Sequence, residues 1–273
     1  MILTEKDFNF FRSLIYQLAG ISLSSAKREL VQSRLRSRAQ SLGMESFEEY
    51  VKYLEGLPDK HEEWESFINL LTTNKTDWFR EPQHFDYIVE KFLPTWMTQG
   101  KKHLDVWCAA SSTGEEPYTL SLVLNHALKG KGITYKIVAT DIDTRVLSQA
   151  NNGVYSKDKL WQIPEIYQDG FSMGTGEIAA WMKVKPAIKS HVEYGQLNLS
   201  HIPYPWENTF DLVLCRNVLI YFNPQTIQSV VEGLYHTAQK NAVLLIAHSE
   251  SLQNVKTSWK YQKPSIYLKG NLF

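Results

Sequence analysis

The chain has 273 residues, which is long enough for two domains, and 43% of them are hydrophobic. This composition supports a sizeable core and excludes disorder over most of the length. Lysine plus arginine and aspartate plus glutamate number 29 each, so the net charge is zero, and a general electrostatic attraction to nucleic acid is excluded.

The sequence lacks the features of secreted and membrane-inserted proteins. No basic segment followed by an apolar one stands after Met1, and no apolar run approaches the roughly 20 residues of a membrane span. Cys108 and Cys215 are far apart, which is typical of small buried residues in a reducing cytoplasm. The histidines are scattered, and their spacing predicts no metal site. We therefore expect a cytoplasmic protein.

Residues 1–72 are predicted to form an all-helical domain. Apolar residues recur at helical spacing in the first segment, and Gly20 follows as a stop signal. Ser46 and Glu49 have the spacing of a capping box at the start of the third helix. The predicted helices cover about residues 8–18, 25–42, 46–57 and 60–71.

From about residue 100, strand-like runs alternate with helices. This order predicts an α/β fold with a parallel, doubly wound, Rossmann-like sheet. Residues 158–196, which contain two prolines, break the alternation and predict a small antiparallel β insertion with strands at 181–184 and 191–194. The other predicted strands are 103–107, 135–140, 210–214, 242–247 and an edge strand at 265–269, and the predicted helices are 116–128, 144–150 and 224–239.

The loop after the first strand is a candidate ligand site, because ligands of doubly wound sheets bind beyond the carboxyl ends of the strands. Small residues and a single glycine, Gly114, lead into a helix that begins with Glu115 and Glu116. Two carboxylates at the start of a helix interact favourably with the helix dipole, but they repel a phosphate, so they suit a cationic ligand. S-adenosyl-L-methionine, which carries an ammonium and a sulfonium and no phosphate, is therefore favoured over NAD.

Asp141 ends the second predicted strand, where an acid accepts hydrogen bonds from ribose hydroxyls. The alternative is that Asp141 caps the helix that follows. Asp143 can fill that role equally well.

Six blocks carry a family resemblance: Asn74-Lys-Thr-Asp-Trp-Phe-Arg-Glu81, Ser112-Thr-Gly-Glu-Glu-Pro-Tyr118, Ala139-Thr-Asp-Ile-Asp143, Asn198-Leu199, Cys215-Arg-Asn-Val-Leu-Ile-Tyr-Phe222 and His248-Ser-Glu-Ser251. In this order, over nearly the whole chain, they resemble the chemotaxis-receptor glutamate methyltransferases, often called the CheR family. The resemblance implies a substrate-recognising helical domain at 1–72 and a linker at 73–85 that contributes to the active site. It implies a methyltransferase domain at 86–273 that binds S-adenosyl-L-methionine.

The implied activity is transfer of a methyl group to glutamate carboxylates, with S-adenosyl-L-homocysteine as the product. The implied partner is the cytoplasmic helical domain of a methyl-accepting chemotaxis receptor. In some family members a C-terminal receptor peptide docks on the β insertion by adding a strand.

The resemblance also implies roles for individual residues. Arg80 and Tyr221 would be catalytic and would orient the acceptor carboxylate, which is already ionised at neutral pH and needs no general base. One or both of Glu115 and Glu116, with Glu116 favoured by its position, would meet the methionine end of the cofactor, and Asp141 would meet the ribose. The implied cofactor-binding set is Asn74, Thr76, Arg80, Glu115, Glu116, Asp141, Asn198, Leu199, Cys215, Arg216 and Asn217.

Several of these residues also have simpler structural explanations. Arg80 would pair with Glu81 or Asp77 on the surface, and Tyr221 would be part of the core. Arg216 is harder to explain in this way, because a charged residue at the end of an apolar strand needs a partner.

A basic face on the second helix is the candidate for substrate binding. Lys27, Arg34 and Arg38 follow helical spacing and are predicted to bind the acidic helices of a receptor. The alternative is a solvated face with Glu29 as the counter-charge.

Two other functions compete with receptor methylation. One is a non-catalytic module that binds S-adenosyl-L-methionine or its product and signals through the helical domain. The other is a methyltransferase that acts on another protein. Nucleic-acid amino-methylating enzymes are disfavoured, because Cys215-Arg-Asn-Val218 stands where they commonly have an Asn/Asp-Pro-Pro-aromatic run.

Overall fold

The computed structural model describes residues 1–270, so the end of the predicted domain 86–273 lies outside the described residues. Within residues 1–270, no helix combines the length and the apolar character needed to cross a bilayer.

Four α-helices form the N-terminal part, as the apolar periodicity predicts. Gly20 ends the first helix in the left-handed conformation, with φ of 70°. Ser46 accepts a hydrogen bond from the backbone of Glu49 as predicted, whereas the Glu49 carboxylate reaches the backbone of Glu45 rather than that of Ser46. The helices are α1 (Glu5–Ala19), α2 (Arg28–Ser41, after a 3₁₀ turn at Ser25–Lys27), α3 (Phe47–Glu55) and α4 (Glu62–Leu71).

Aromatic packing holds these four helices together. Phe11 of α1 is fully buried, and its ring centroid lies 5.8–6.0 Å from those of Phe47, Tyr50 and Phe67. Burial of rings of this size is the main favourable contribution to a small helical core.

Seven strands form the main sheet, in the order β6-β2-β1-β7-β8-β10-β9. The first five are parallel, which confirms the predicted doubly wound sheet, and β10 and β9 are antiparallel. The predicted edge strand at 265–269 is wrong in its position: β10 lies between β8 and β9, and β9 forms the edge. The strands are β1 (His103–Cys108), β2 (Thr134–Asp141), β6 (Val192–Gln196), β7 (Phe210–Leu214), β8 (Ala238–Leu245), β9 (Lys260–Lys263) and β10 (Ile266–Leu268).

The helices of this part include a segment that the sequence analysis did not predict, α5 (Gln83–Tyr87), a π-helical turn at Ile88–Phe92 and α6 (Leu93–Met97). The longer helices are α7 (Glu115–Leu128), α8 (Thr144–Asn152) and α11 (Pro224–Thr237), and two short ones are α9 (Glu165–Gln168) and α10 (Pro186–Lys189). The chain runs from β1 outward to β2 and β6, and then returns to β7 on the other side of β1. A reversal of this kind opens a crevice at the carboxyl ends of the strands.

The β insertion is present, with different bounds from those predicted. Three antiparallel strands, β3 (Val154–Ser156), β4 (Phe171–Met173) and β5 (Trp181–Val184), form a sheet of order β3-β5-β4. The sheet starts before residue 158. The predicted strand 191–194 is not part of it, because the buried Val192 pairs in parallel with Ile137 and β6 extends the main sheet instead.

The helical part docks against the loops at the carboxyl end of the main sheet. The backbone amide of Ser22 donates to the carbonyl of Tyr221 at 2.7 Å, and Asn198 Nδ2 donates to the carbonyl of Leu18 at the same distance. These contacts make the segment after α1 one wall of the crevice.

The basic side chains of α2 serve the helical part itself. Arg38 forms a two-pronged ion pair with Glu63 of α4, whose side chain is 1% exposed and also accepts a 2.7 Å hydrogen bond from the hydroxyl of Tyr50. Arg34 donates to two backbone carbonyls at the end of α4. The counter-charge of Arg38 is therefore Glu63 rather than Glu29, and two of the three predicted substrate-binding cations already have partners.

We expect Arg38→Ala to lower the free energy of unfolding by about 2–3 kcal/mol, because it leaves the Glu63 carboxylate buried without its cation. The effect is smaller than for a fully buried pair, since Arg38 is partly exposed. Lys52→Ala removes an exposed pair with Glu48 and serves as the control, which should leave the urea midpoint nearly unchanged. Urea unfolding followed by circular dichroism measures both, and equal losses would contradict the assignment.

Candidate functional site

A cavity of about 510 Å³ lies between the segment after α1 and the carboxyl ends of β1, β2 and β7. Cavities of this size are typical of small-molecule sites. The predicted site residues that line it are Lys27, Asn74, Thr76, Arg80, Glu116, Asp141, Asn198, Leu199, Arg216, Asn217 and Tyr221. Residues 21–24, Ala109, Ala110, Ile220 and Phe222 also line it, and the sequence analysis did not single them out.

Four predicted residues do not line the cavity: Glu115, Cys215, Arg34 and Arg38. The Glu115 carboxylate is buried and turned toward Thr113 and Lys159, whose Nζ lies 3.3 Å from it. Cys215 is fully buried, and its backbone amide donates to the carbonyl of Leu245 at 2.9 Å. Both cysteines are free and buried, as predicted.

The loop after β1 meets the cavity through its alanines and Ser112 rather than through its glycine. Gly114 has φ of 95°, and a Cβ atom there would lie within 2.9 Å of Ala150 and of the hydroxyls of Tyr155 and Tyr194. The glycine is therefore needed for close packing of the start of α7 against the protein core, which the sequence analysis did not foresee.

Arg216 follows β7 and is the cation at the floor of the cavity. Its side chain is 1% exposed, and its two terminal nitrogens donate to Glu116 Oε2 at 2.5 Å, to the carbonyl of Arg80 at 2.5 Å and to Glu81 Oε2 at 3.0 Å. The prediction that Arg216, a charged residue at the end of an apolar strand, has partners is therefore confirmed. One side chain thus joins the loop after β7, the start of α7 and the segment before α5.

Burial and ion pairing oppose each other in this group. Burial alone would lower the pKa of Arg216, but the carboxylates of Glu116 and Glu81 outweigh it and raise that pKa. For Glu116 the burial is the stronger influence, and its pKa is raised despite the contact with Arg216. Glu116 is thus a buried carboxylate that lacks full compensation for its charge.

Asp141 ends β2 and faces the cavity, and its side chain accepts hydrogen bonds from the backbone amides of Ser112 at 2.8 Å and Asp143 at 3.0 Å. Burial raises the pKa of Asp141 in spite of these bonds. Asp143 caps α8 by accepting from the backbone of Arg145. The capping role that was the alternative for Asp141 therefore belongs to Asp143.

Arg80 reaches the cavity from a strained stretch of backbone. Its neighbours Phe79 and Glu81 both have positive φ, 49° and 56°, which is uncommon for residues other than glycine. Arg80 Nη1 donates to the carbonyl of Lys75 at 3.0 Å. The alternative of surface pairing does not hold for Glu81, which binds Arg216, or for Asp77, which faces Lys159.

A buried carboxylate organises the loop after β7. Glu250 is 8% exposed and accepts hydrogen bonds from the backbone amides of Asn217 at 3.1 Å, Leu219 at 2.9 Å and Ala247 at 2.8 Å. Asn217 has φ of 59°, and Tyr221 ends the 3₁₀ turn that follows. Glu250 thereby fixes the backbone that carries Tyr221 into the cavity.

Two predicted asparagines hold the cavity walls together. Asn74 Nδ2 donates to Asp143 Oδ2 at 2.7 Å, and the carbonyl of Asn74 accepts from Ser112 Oγ at 2.9 Å. Asn198 binds the carbonyl of Leu18 through Nδ2 and the backbone of Ser200 through Oδ1. Their side-chain amides therefore shape the cavity.

Two family models match this chain. The model described as "CheR methyltransferase, all-alpha domain" matches residues 6–72, and "CheR methyltransferase, SAM binding domain" matches residues 74–267. The chain belongs to the CheR methyltransferase family.

Curated relatives of this CheR chain have consistent names. "Chemotaxis protein methyltransferase" of Salmonella typhimurium is 34% identical, over 98% of this chain and 91% of its own length. "Chemotaxis protein methyltransferase 2" of Pseudomonas aeruginosa is 38% identical, over 91% of this chain and 87% of its own. The resemblance predicted from the six blocks is confirmed.

Two residues of the CheR site were missed as site residues. Glu81 lies in the block 74–81 and Glu250 in the block 248–251, so the blocks contained the signal. Their role became visible only when the fold brought Glu81 to Arg216 and Glu250 to Asn217.

Proposed function

We propose that this CheR-family protein transfers a methyl group from S-adenosyl-L-methionine to glutamate side chains of chemotaxis receptors. The observation that carries the proposal is the single cavity lined by Glu116, Asp141, Arg80 and Tyr221, which come from four separate segments. The names of the relatives in Salmonella and Pseudomonas support a chemotaxis protein as the substrate.

The residues at the cavity fit this cofactor in charge and in hydrogen-bonding capacity. Glu116 and Asp141 offer carboxylate oxygens to an ammonium group and to ribose hydroxyls, respectively. Burial raises the pKa of both carboxyls, so a cation bound nearby would be favourable to each. When bound, S-adenosyl-L-methionine supplies an electrophilic methyl group.

The protein then has to hold the acceptor rather than to deprotonate it. A glutamate with a pKa near its reference value of about 4.3 is already a nucleophilic carboxylate at neutral pH. Arg80 brings donors that match a carboxylate, and Tyr221 brings a hydroxyl to the same cavity. Orientation of this kind accounts for catalysis through proximity, where effective molarities reach about 10⁵–10⁸ M.

Two surfaces suit the receptor. Lys27 is exposed and lines the cavity, so it suits acidic side chains on the receptor's helical cytoplasmic domain. The β insertion exposes six large apolar side chains, and β3 and β4 form the two edges of its sheet, which suits a docked C-terminal receptor peptide. The exposed side chains are Val154, Trp161, Ile166, Met173, Ile178 and Trp181.

The first test is calorimetric titration with S-adenosyl-L-methionine and S-adenosyl-L-homocysteine, with NAD as a negative control. We expect Asp141→Ala to weaken binding of both by at least about tenfold, since it removes the acceptor for the ribose. Asp105→Ala is the matched control, because Asp105 is a partly buried carboxylate of the main sheet that does not line the cavity. Absence of binding to the wild-type protein would overturn the proposal.

The adjacent glutamates at the start of α7 provide a second matched pair. We expect Glu116→Gln to weaken cofactor binding by about tenfold, whereas Glu115→Gln leaves it nearly unchanged, because only Glu116 lines the cavity. Since burial raises the pKa of Glu116, wild-type affinity should decline on acidification at a higher pH than for an ordinary glutamate. This decline should be smaller in Glu116→Gln, where Asp141 is the remaining carboxylate that binds the cofactor. Equal effects of the two substitutions would contradict the assignment.

Catalysis is tested by radiolabelled methyl transfer to receptor cytoplasmic fragments. We expect Tyr221→Phe to lower kcat by about tenfold or more with little change in cofactor affinity, because only the hydroxyl is removed. An unchanged rate would exclude Tyr221 from the mechanism. Cofactor binding by the wild-type protein without any methyl transfer would instead favour a non-catalytic signalling module.

A further inference from the structure

Three side chains with metal-binding atoms meet next to Arg216. A carboxylate oxygen of Glu81 and one ring nitrogen each of His84 and His248 lie within 4.8 Å of one another. His248 is exposed, Glu81 is partly buried and His84 is 1% exposed, so the group leads inward from the surface. The sequence predicted no metal site, because His248 is far along the chain from Glu81 and His84.

The hydrogen bonds of His84 define which of its nitrogens carries a lone pair. The Ser265 hydroxyl donates to the carbonyl of Pro264 at 2.6 Å, so it accepts the 2.7 Å hydrogen bond from His84 Nε2. The proton of the neutral ring is therefore on Nε2, and Nδ1 is an acceptor.

Nδ1 of His84 has no hydrogen-bond partner among residues 1–270 and lies 3.5 Å from Glu81 Oε2. Two acceptors, one of them fully buried, thus face each other. A metal cation bound between them relieves this.

We propose that Glu81, His84 Nδ1 and His248 form a binding site for a divalent transition-metal ion of the zinc type, with water as the fourth ligand. Two imidazoles and a carboxylate are a common ligand set for zinc, whereas magnesium and calcium prefer oxygen atoms alone. The His84–Ser265 hydrogen bond is the outer contact that ordinarily orients a ligating imidazole. The spacing requires only that the ligand atoms close toward the roughly 3.4 Å separation that zinc–ligand distances of about 2.1 Å imply.

The site is linked to the cavity through one atom. Glu81 Oε2, which faces His84, also accepts a hydrogen bond from Arg216 at 3.0 Å. An ion at the site therefore shares a carboxylate with the arginine at the cavity floor.

Calorimetric titration of chelator-treated protein with ZnCl₂ tests the site. We expect one ion per chain, with binding weakened at least tenfold in His248→Ala and in His84→Ala. His236→Ala is the matched control and should leave binding unchanged: His236 is exposed, and its Nε2 lies 3.9 Å from a carboxylate oxygen of Glu232. Magnesium chloride should give no binding at this site.

The substitution of the exposed His248 decides the test, because His84→Ala removes a buried ring and can impair folding. Cobalt(II) provides a second measurement: four-coordinate cobalt gives intense visible absorption, which should appear with wild-type protein and be lost in His248→Ala. Absence of binding, or binding unaffected by His248→Ala, would overturn the proposal. Neither measurement uses cofactor or receptor, so the outcome is independent of the proposed methyl transfer.

Discussion

The buried guanidinium of Arg216 is the contact on which the arrangement of the site depends. It is almost completely withdrawn from water and reaches Glu116, Glu81 and the carbonyl of Arg80 within 3.0 Å. Removing one partner of such a group leaves an uncompensated buried charge, so the three segments that meet there are held in one geometry. The arginine thus defines where the helix α7 begins relative to the strand β7 and to the segment between the two parts of the chain.

Backbone strain is concentrated around the same cavity and is offset by buried acids. Asn217 and Ser112, in the loops after β7 and β1, both have positive φ, a conformation that costs about 1–2 kcal/mol for most residues. The amide of Asn217 donates to Glu250, and that of Ser112 donates to Asp141. Hydrogen bonds to charged acceptors are the stronger kind, and they stabilise loop conformations that the local sequence would not favour.

Local sequence patterns were sufficient for most of the longer elements of the fold, but not for short ones such as α5, α6 and β9. The apolar periodicity of α1, the strand ending at Asp141 and the alternation of strands and helices follow from rules that act over a few residues. The family blocks identified most residues of the cavity. The assignment of β6 to the insertion was wrong because a short strand has the same sequence pattern in either sheet. Only the parallel pairing of β6 with β2 shows that it belongs to the main sheet.

Local sequence patterns could not predict ion pairs between residues that are far apart along the chain. Arg38 was predicted to bind the receptor, with a solvated face beside Glu29 as the alternative, and instead meets Glu63 on another helix. Glu81 was considered as a surface partner of Arg80 and instead neutralises Arg216, far along the chain. In each case a buried charge selects its partner after folding has brought the elements together, so the choice depends on tertiary packing.

The surroundings of two carboxylates account for the kind of group that the cavity should accept beside them. The charged residues that line the cavity are of both signs: Glu116 and Asp141 are acids, and Lys27, Lys75, Arg80 and Arg216 are bases. Arg216 is already bound to Glu116 and Glu81, and Lys27 and Lys75 are exposed and screened by water. The pKa values of Glu116 and Asp141 are raised, as expected for carboxylates with too little compensation. An ammonium group bound beside either carboxylate would compensate its charge, whereas a phosphate at the same place would be repelled. The electrostatic argument that the sequence suggested from Glu115 and Glu116 thus applies locally, at Glu116 and Asp141, because Glu115 does not line the cavity.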